Sequence, residues 1–97
     1  MNEPKSLKKQ KTPWFVYIAA CKDRSYYIGI SNDVKRRIEK HNSGKSAKYL
    51  RGKTPIILLY TEKHSNKSQA RKREMQLKKW SRKKKEWLIG KGSLTVI

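Results

Sequence analysis

Two short runs of β-branched and aromatic residues constrain the fold more than any other feature of the sequence. They cover Trp14 to Ala20 and Ser25 to Ser31, and the polar turn Lys22-Asp23-Arg24 separates them. Strand-forming runs joined by a short polar turn are typical of a β-hairpin. The sequence therefore predicts two antiparallel strands around which the rest of the chain has to pack.

The alternation of apolar residues determines how these two strands pair. A shift of one residue would turn one strand over, so the register that collects the apolar side chains on one face is favoured. That face holds Val16, Ile18, Ala20, Tyr26, Ile28 and Ile30. The opposite face then gathers Tyr17, Tyr27, Gly29 and Ser31. Tyr17 is expected across from Gly29, and Ala19 across from Tyr27.

The two phenols and the glycine on that second face form a candidate site. Hydroxyl groups can donate hydrogen bonds to phosphate oxygens, and a residue without a side chain leaves room for the phosphate. The alternative is that Tyr17 and Tyr27 only pack on a half-exposed face of the sheet, as tyrosines often do.

The first predicted helix borders this patch of tyrosines. It opens at Asn32-Asp33 and runs to about His41. On a helical projection, Arg37 and His41 lie beside the apolar stripe that would pack on the sheet. The guanidinium of Arg37 can hold phosphate oxygens through two parallel hydrogen bonds. Each residue also has a structural explanation, Arg37 as a solvated charge and His41 as a basic group favoured near a helix C-terminus.

A glutamate falls on the buried stripe of another predicted helix. Ser68 is expected to cap this helix, which runs to about Trp80, and a last helical segment covers Lys83 to Ile89. A carboxylate on such a stripe is destabilising unless it is paired or binds a cation. For Glu74, a structural ion pair and a metal site are both open, and the sequence alone slightly favours the ion pair.

A basic loop and a third strand lie between these two helices. The loop, GKSAKYLRGKTP, ends at Pro55. The next residues, Ile56 to Thr61, are a short apolar run with β-branched members, which predicts a buried strand.

The charge of the chain points to nucleic acid as its partner. Lysine and arginine number 26 against seven acidic residues, a formal net charge of +19. Such a surface attracts polyanions, and a tyrosine among the basic residues suits stacking on an unpaired base. The expected contacts are Lys45, Lys48, Tyr49, Arg51, Lys53, Lys78, Lys79 and Arg82. The alternative is that these basic runs are only solvated faces.

Length and composition limit the size and the setting of the protein. A chain of 97 residues, 35% of them apolar, forms one domain with a modest core. Residues 1–12 lack apolar periodicity and are predicted to be a flexible basic arm, which leaves 13–97 as the folded domain. No apolar run approaches a bilayer span, and the single Cys21 permits no internal disulfide. We expect a cytoplasmic monomer, nucleoid-associated when bound to DNA, with no membrane partner.

The two tyrosine motifs resemble the two-part signature of the GIY-YIG nuclease family. These motifs are VYI at Val16 to Ile18 and YIG at Tyr27 to Gly29, and their tyrosines are ten residues apart. The family's arginine lies ten residues after the second tyrosine and its histidine four residues further on, which matches Arg37 and His41. Its metal-binding glutamate, on a later helix, matches Glu74.

The resemblance covers about Trp14 to Ile89 and is strongest to the small single-domain bacterial branch of the family. The nuclease domain at the N-terminus of the bacterial excinuclease is similar. The resemblance implies an α/β (α+β) fold, a three-stranded antiparallel sheet flanked by helices. It also implies hydrolysis of phosphodiester bonds with one divalent cation, Mg²⁺ or Mn²⁺.

The resemblance also implies a role for each matching residue. Tyr17 would help to activate the attacking water, and Tyr27 and Arg37 would bind the scissile phosphate and its developing charge. His41 would contact the phosphate or relay a proton, and Glu74 would hold the metal ion. All five are expected to line one cleft, with Val16, Ile18, Ile28 and Ile30 in the core behind it.

The expected function is therefore metal-dependent endonuclease activity on DNA. The sequence contains no evident base-reading element, so structure-selective or weakly sequence-specific cleavage, as in DNA repair or processing, is favoured, and RNA stays open as a substrate. The alternative is a non-catalytic basic DNA- or RNA-binding protein on the same fold. A third possibility is a ribosome-associated basic protein, which would bind RNA without any metal dependence.

Overall fold

A computed structural model describes residues 12–45 and 48–92, which form three strands and three helices. The predicted basic arm, residues 1–12, lies outside this part of the chain except for Thr12. In chain order the elements are β1 (Trp14–Ala20), β2 (Tyr26–Ser31), α1 (Val34–Asn42), β3 (Ile57–His64), α2 (Lys67–Lys78) and α3 (Arg82–Gly92), with a short 3-10 turn at Lys48–Leu50 before β3.

The sheet is antiparallel and has the order β2-β1-β3, so the predicted hairpin supplies the central strand, β1, and one edge strand, β2. β1 and β2 pair in the predicted register, with Tyr17 opposite Gly29 and Ala19 opposite Tyr27. The apolar face packs against α2 and α3, where Ala70, Leu77 and Leu88 complete the main core. The predicted fold class, a three-stranded antiparallel sheet flanked by helices, is confirmed.

The third strand differs from the prediction of a buried strand over Ile56 to Thr61. It starts one residue later and runs on to His64, because its polar second half pairs with β1 as far as Trp14. β3 pairs with β1 alone among the described strands, so it forms an edge of the sheet. Its first residue, Ile57, is consequently 64% exposed.

The start of α2 also differs from the prediction that Ser68 caps it. Asn66 is the N-cap, and its side chain accepts a hydrogen bond of 2.9 Å from the backbone N–H of Gln69. Asparagine and serine are both good N-caps, so Asn66 can take this role two residues before Ser68. By contrast, Asp33 caps α1 as the predicted opening implied, accepting from the N–H of Arg36.

The last helix is longer than predicted and continues past Ile89 to Gly92. Its start is set by Ser81, whose hydroxyl accepts a hydrogen bond of 3.1 Å from the N–H of Lys84. Within the described ranges, no helix is both long enough and apolar enough to cross a bilayer.

A second, smaller core lies on the other face of the sheet, under the basic loop. It contains Ala19, Cys21, Leu50 and Ile56. The side chain of Asn42, at the end of α1, donates to the backbone oxygen of Ile56 and accepts from its N–H, at 3.0 and 2.7 Å. This pair of hydrogen bonds fixes the end of α1 against the segment that leads into β3.

A polar network ties β3 to α2. The carboxylate of Glu62 accepts hydrogen bonds from the Tyr60 hydroxyl at 2.6 Å and from Arg73 Nε at 2.8 Å, and it lies 2.7 Å from His64 Nε2. Burial raises the pKa of Glu62, but these hydrogen bonds outweigh burial and hold that pKa below its ordinary value. Arg73 immediately precedes Glu74, so the network also fixes the part of α2 that carries this carboxylate.

We predict that Glu62→Gln lowers the free energy of unfolding by about 1–3 kcal/mol, because it leaves the partners of a half-buried carboxylate incompletely satisfied. Glu39→Gln is the matched control, since it removes the same charge from an exposed position on α1. The contribution of Glu62 is present above its ordinary pKa of 4.5 and is lost as the pH falls through its lower folded-state value. Urea unfolding at pH 7 and pH 3 measures both effects. Equal losses in the two variants at pH 7 would contradict this role.

Candidate active site

An open cleft of about 410 Å³ lies where β1 and β2 meet α1 and α2. Four of the five predicted catalytic residues line it, and the predicted structural glycine lies among them. The lining residues are Tyr17, Tyr27, Gly29, Ile30, Arg37, Arg71, Glu74, Met75 and Lys78. The structure therefore brings together residues that are up to 61 positions apart in the chain, from Tyr17 to Lys78.

Tyr17 is held in the cleft by its position across from Gly29. It is 1% exposed, and a Cβ atom placed on Gly29 would lie 2.6 Å from the Tyr17 hydroxyl oxygen. No side chain other than hydrogen fits there without moving the phenol. The glycine is thus required by the close approach of a ring, whereas the sequence had suggested space for a phosphate.

The environment of Tyr17 keeps its hydroxyl protonated. Burial, then the neighbouring Tyr27, raise the pKa of the phenol, and the carboxylate of Glu74 also raises it. The guanidinium of Arg37 acts in the opposite direction but does not outweigh them. Without additional positive charge in the cleft, Tyr17 is therefore a hydrogen-bond donor at neutral pH and not a base.

His41 does not line the cleft, contrary to the expectation that it would. It is 5% exposed and lies behind Tyr17, with its Nε2 atom 3.4 Å from the Tyr17 hydroxyl oxygen. Its ring also meets the ring of Tyr27 edge-on, at 5.7 Å between centroids. His41 packs behind the two tyrosine rings, whereas Arg37, one turn earlier on α1, lines the cleft.

The burial of His41 favours its neutral form. Burial lowers the pKa of the imidazole, and the positive charges of Arg37 and Lys40 lower it further. A neutral imidazole carries one nitrogen that can accept a proton. In the tautomer that carries its proton on Nδ1, the Nε2 atom of His41 can accept a hydrogen bond from the Tyr17 hydroxyl.

Glu74 is the sole acidic residue among the described residues that line the cleft. Its side chain is 13% exposed, and its Oε2 atom lies 3.2 Å from Lys78 Nζ, one turn further along α2. The ion pair that the sequence left open is thus present. Lys78 is 56% exposed, however, so a metal cation or water can replace its ammonium group beside Glu74 at a modest cost in free energy.

The residues around Glu74 fit a magnesium or manganese ion that is bound mainly through water and substrate. The described residues contain no group of three or more His, Cys, Asp or Glu side chains that could hold a metal ion. Among the described residues that line the cleft, Glu74 alone has a carboxylate, so Glu74 would hold the ion. Mg²⁺ commonly binds proteins in this way, through one or two carboxylates with the remaining positions filled by water and phosphate oxygens.

Arg71 is a cleft residue that the sequence analysis missed. It lies three positions before Glu74 on α2, which places both on one face of the helix. That spacing would have been enough to find it. Together with Arg37 and Lys78, it gives the cleft three cationic groups next to one carboxylate, a composition that suits an anionic ligand.

The predicted nucleic-acid contacts differ in their surroundings. Tyr49 stacks on Tyr27 with ring centroids 5.9 Å apart, and Lys53 lies over the Tyr49 ring at 3.9 Å. Arg82 pairs with Glu86 at 3.2 Å and lies over the ring of Tyr26. Lys78 belongs to the cleft. The remaining members of the set are exposed: Lys45, Lys48, Arg51 and Lys79.

Comparisons with known proteins identify the family of the chain. The family model described as the GIY-YIG catalytic domain matches residues 13–86. A UPF0213 protein of Halobacterium salinarum is 48% identical over 74 residues, which are 76% of this chain and 96% of that protein. A UPF0213 protein of Staphylococcus saprophyticus is 46% identical over 78 residues, 80% of this chain and 95% of that protein.

Two solved structures are also similar. The solution NMR structure of a UPF0213 protein from Bacillus halodurans has a TM-score of 0.52 and 47% sequence identity, covering 80% of this chain and 83% of that one. The solution NMR structure of a protein from E. faecalis has a TM-score of 0.58 and 38% identity, covering 84% and 88%. The chain belongs to the GIY-YIG catalytic domain family of nucleases, and within it to the UPF0213 proteins.

Proposed function

We propose that this protein is a metal-dependent endonuclease that hydrolyses phosphodiester bonds in nucleic acid, with DNA as the first candidate and the cytoplasm as its place of action. The observation that carries the proposal is the cleft itself. Two tyrosines, a guanidinium and a carboxylate that are far apart in the sequence converge on one open, basic site. The net charge of +19 supports a polyanionic substrate.

In this proposal Arg37 and Tyr27 hold the scissile phosphate. The guanidinium of Arg37 faces solvent at the cleft and donates two hydrogen bonds to non-bridging oxygens. The Tyr27 hydroxyl donates a third. These donors are in place before the reaction, so they stabilise the extra negative charge of the transition state without having to reorganise.

Tyr17 and His41 then accept the proton of the attacking water in a coupled transfer. The Tyr17 oxygen accepts the water's proton while its own proton moves toward His41 Nε2, which is already 3.4 Å away. Because burial of the phenol opposes a free phenolate, such a coupled transfer avoids forming one. A divalent cation held by Glu74 would supply positive charge that acidifies the water and neutralises the phosphate.

A second candidate function is non-catalytic binding of DNA or RNA on the same fold. The contact between Glu74 and Lys78, 3.2 Å, favours it, since it gives the carboxylate a purely structural partner. Its Lys78 end is 56% exposed, and an i,i+4 helix pair screened by solvent in this way contributes only about 0.3–0.5 kcal/mol to stability, although the Glu74 end is largely buried. The two functions therefore predict different consequences when the carboxylate is removed.

We predict that Glu74→Gln abolishes metal-dependent cleavage and leaves metal-free nucleic-acid binding unchanged or slightly tighter, because glutamine keeps the shape but loses the charge that a cation requires. Labelled linear, branched and single-stranded DNA with Mg²⁺ or Mn²⁺ reports cleavage, and binding is measured in EDTA. Glu39→Gln, the exposed control, should cut like the parent. Cleavage by Glu74→Gln at the parent's rate and metal requirement would show that Glu74 is not the ligand.

We also predict that Gly29→Ala reduces cleavage by about 100-fold without removing any functional group. The added methyl group displaces the Tyr17 hydroxyl, and a shift of about 1 Å in a reacting group can cost that much. The expected loss of folding stability from overpacking is about 1–3 kcal/mol. Single-turnover cleavage below the melting temperature separates the two effects.

Gly90→Ala is the matched control for this substitution. A Cβ atom at Gly90 meets nothing within 4 Å, and alanine is favoured over glycine inside α3. This variant should cut normally and melt at the same temperature or higher. Unchanged cleavage by Gly29→Ala would mean that the position of the Tyr17 hydroxyl is not critical.

A further inference from the structure

A second groove of about 430 Å³ lies beside the catalytic cleft. We call it the tyrosine groove, and its lining residues are Tyr26, Tyr27, Ile28, Tyr49, Lys78 and Lys85. It shares Tyr27 and Lys78 with the cleft. A ligand that occupied both would therefore run without interruption from the groove to the proposed phosphate site.

The walls of the tyrosine groove are aromatic and held in place. The rings of Tyr27 and Tyr49 are inclined by only 26° with centroids 5.9 Å apart. Lys53 Nζ lies 3.9 Å from the centroid of Tyr49 and 3.6 Å from a carboxylate oxygen of Asp23. These contacts restrain Tyr49 although it is 52% exposed. Burying this aromatic surface against a ligand would stabilise the complex, and little side-chain entropy would be lost because the ring of Tyr49 is already restrained.

The groove combines this apolar surface with positive charge. Ile28 and three tyrosines supply flat and apolar contacts, and the two cationic residues Lys78 and Lys85 also line the groove. A nucleobase has a flat π-face that stacks on tyrosine, and its flanking phosphates require cations. A base inside a duplex has neighbours on both faces and cannot enter such a groove.

We infer that the tyrosine groove binds an unpaired nucleobase of the nucleic acid whose phosphodiester lies in the cleft. The inference rests on the proposed function, because it places the base next to the scissile phosphate. In this inference Tyr49 binds the nucleic acid but does not contact the reacting atoms. The base can come from a single strand, a loop or flap, or a nucleotide turned out of a duplex.

The test measures binding of single-stranded oligonucleotides in EDTA, so that cleavage plays no part. Tyr49→Ala should weaken binding by about 5- to 140-fold, the range expected for the loss of one base–aromatic stack. Tyr49→Phe keeps the ring and should stay within about twofold of the parent. Trp87→Ala, which removes an aromatic side chain of similar exposure (57%) outside the groove, should also stay within about twofold.

Oligonucleotides with a single abasic position locate the base. For the parent, an abasic nucleotide at one position should weaken binding as much as Tyr49→Ala does, and combining the two should add nothing. This scan needs no protein variant, so it stands even if Tyr49→Ala folds poorly. Tyr49→Ala binding like the parent, or the same loss at every abasic position, would overturn the inference.

Failure of this inference can be told apart from failure of the proposed endonuclease function, because binding and cleavage are measured separately. If the protein never cuts but one abasic position weakens binding, base binding in the tyrosine groove is supported and the proposed endonuclease function is rejected. If the protein cuts with Mg²⁺ but no abasic position weakens binding in this way, the endonuclease function is supported and base binding in the tyrosine groove is rejected.

Discussion

The close approach of the Tyr17 ring to the backbone of Gly29 is the constraint on which the site depends. It follows from the register of β1 and β2, which the alternation of apolar residues sets. A side chain at position 29 would fill the space of the hydroxyl. Once the phenol lies there, His41 can sit behind it and the cleft can open in front of it. A register slip would therefore remove the site and the core together.

Two other contacts bring charge to this phenol from elsewhere in the chain. Asn42 holds the end of α1, and with it Arg37, against the segment before β3. Glu62 holds Arg73, and with it Glu74, against the sheet. The guanidinium of Arg37 and the carboxylate of Glu74 thus lie on two helices, α1 and α2, that are anchored separately. Such anchoring outside the site is what keeps reacting groups in position before the substrate binds.

The sequence predicted the hairpin register, and with it Tyr17 and Tyr27 on one face near Arg37, because these follow from local periodicity. The place of Glu74 in the same cleft was implied by the resemblance to the GIY-YIG family, since the residues alone left an ion pair open. It did not predict that β3 would be an edge strand, since a short apolar run reads the same at an edge as in the centre. The choice between Asn66 and Ser68 as a cap depends on where α2 meets the sheet. Likewise, no local signal places Tyr49 on Tyr27, or turns His41 behind Tyr17, because both depend on contacts between distant segments. The catalytic and binding roles of these residues stay predictions.

The most direct test of the central claim is to locate the divalent cation by NMR. Mn²⁺ is added in small amounts to the ¹⁵N-labelled protein together with a nuclease-resistant oligonucleotide, since phosphate should supply some of the ligands. The account predicts that line broadening centres on the amides around Glu74 and extends to Gly29 across the cleft. Broadening centred on Glu62 or Glu39, or spread evenly over the protein, would contradict it.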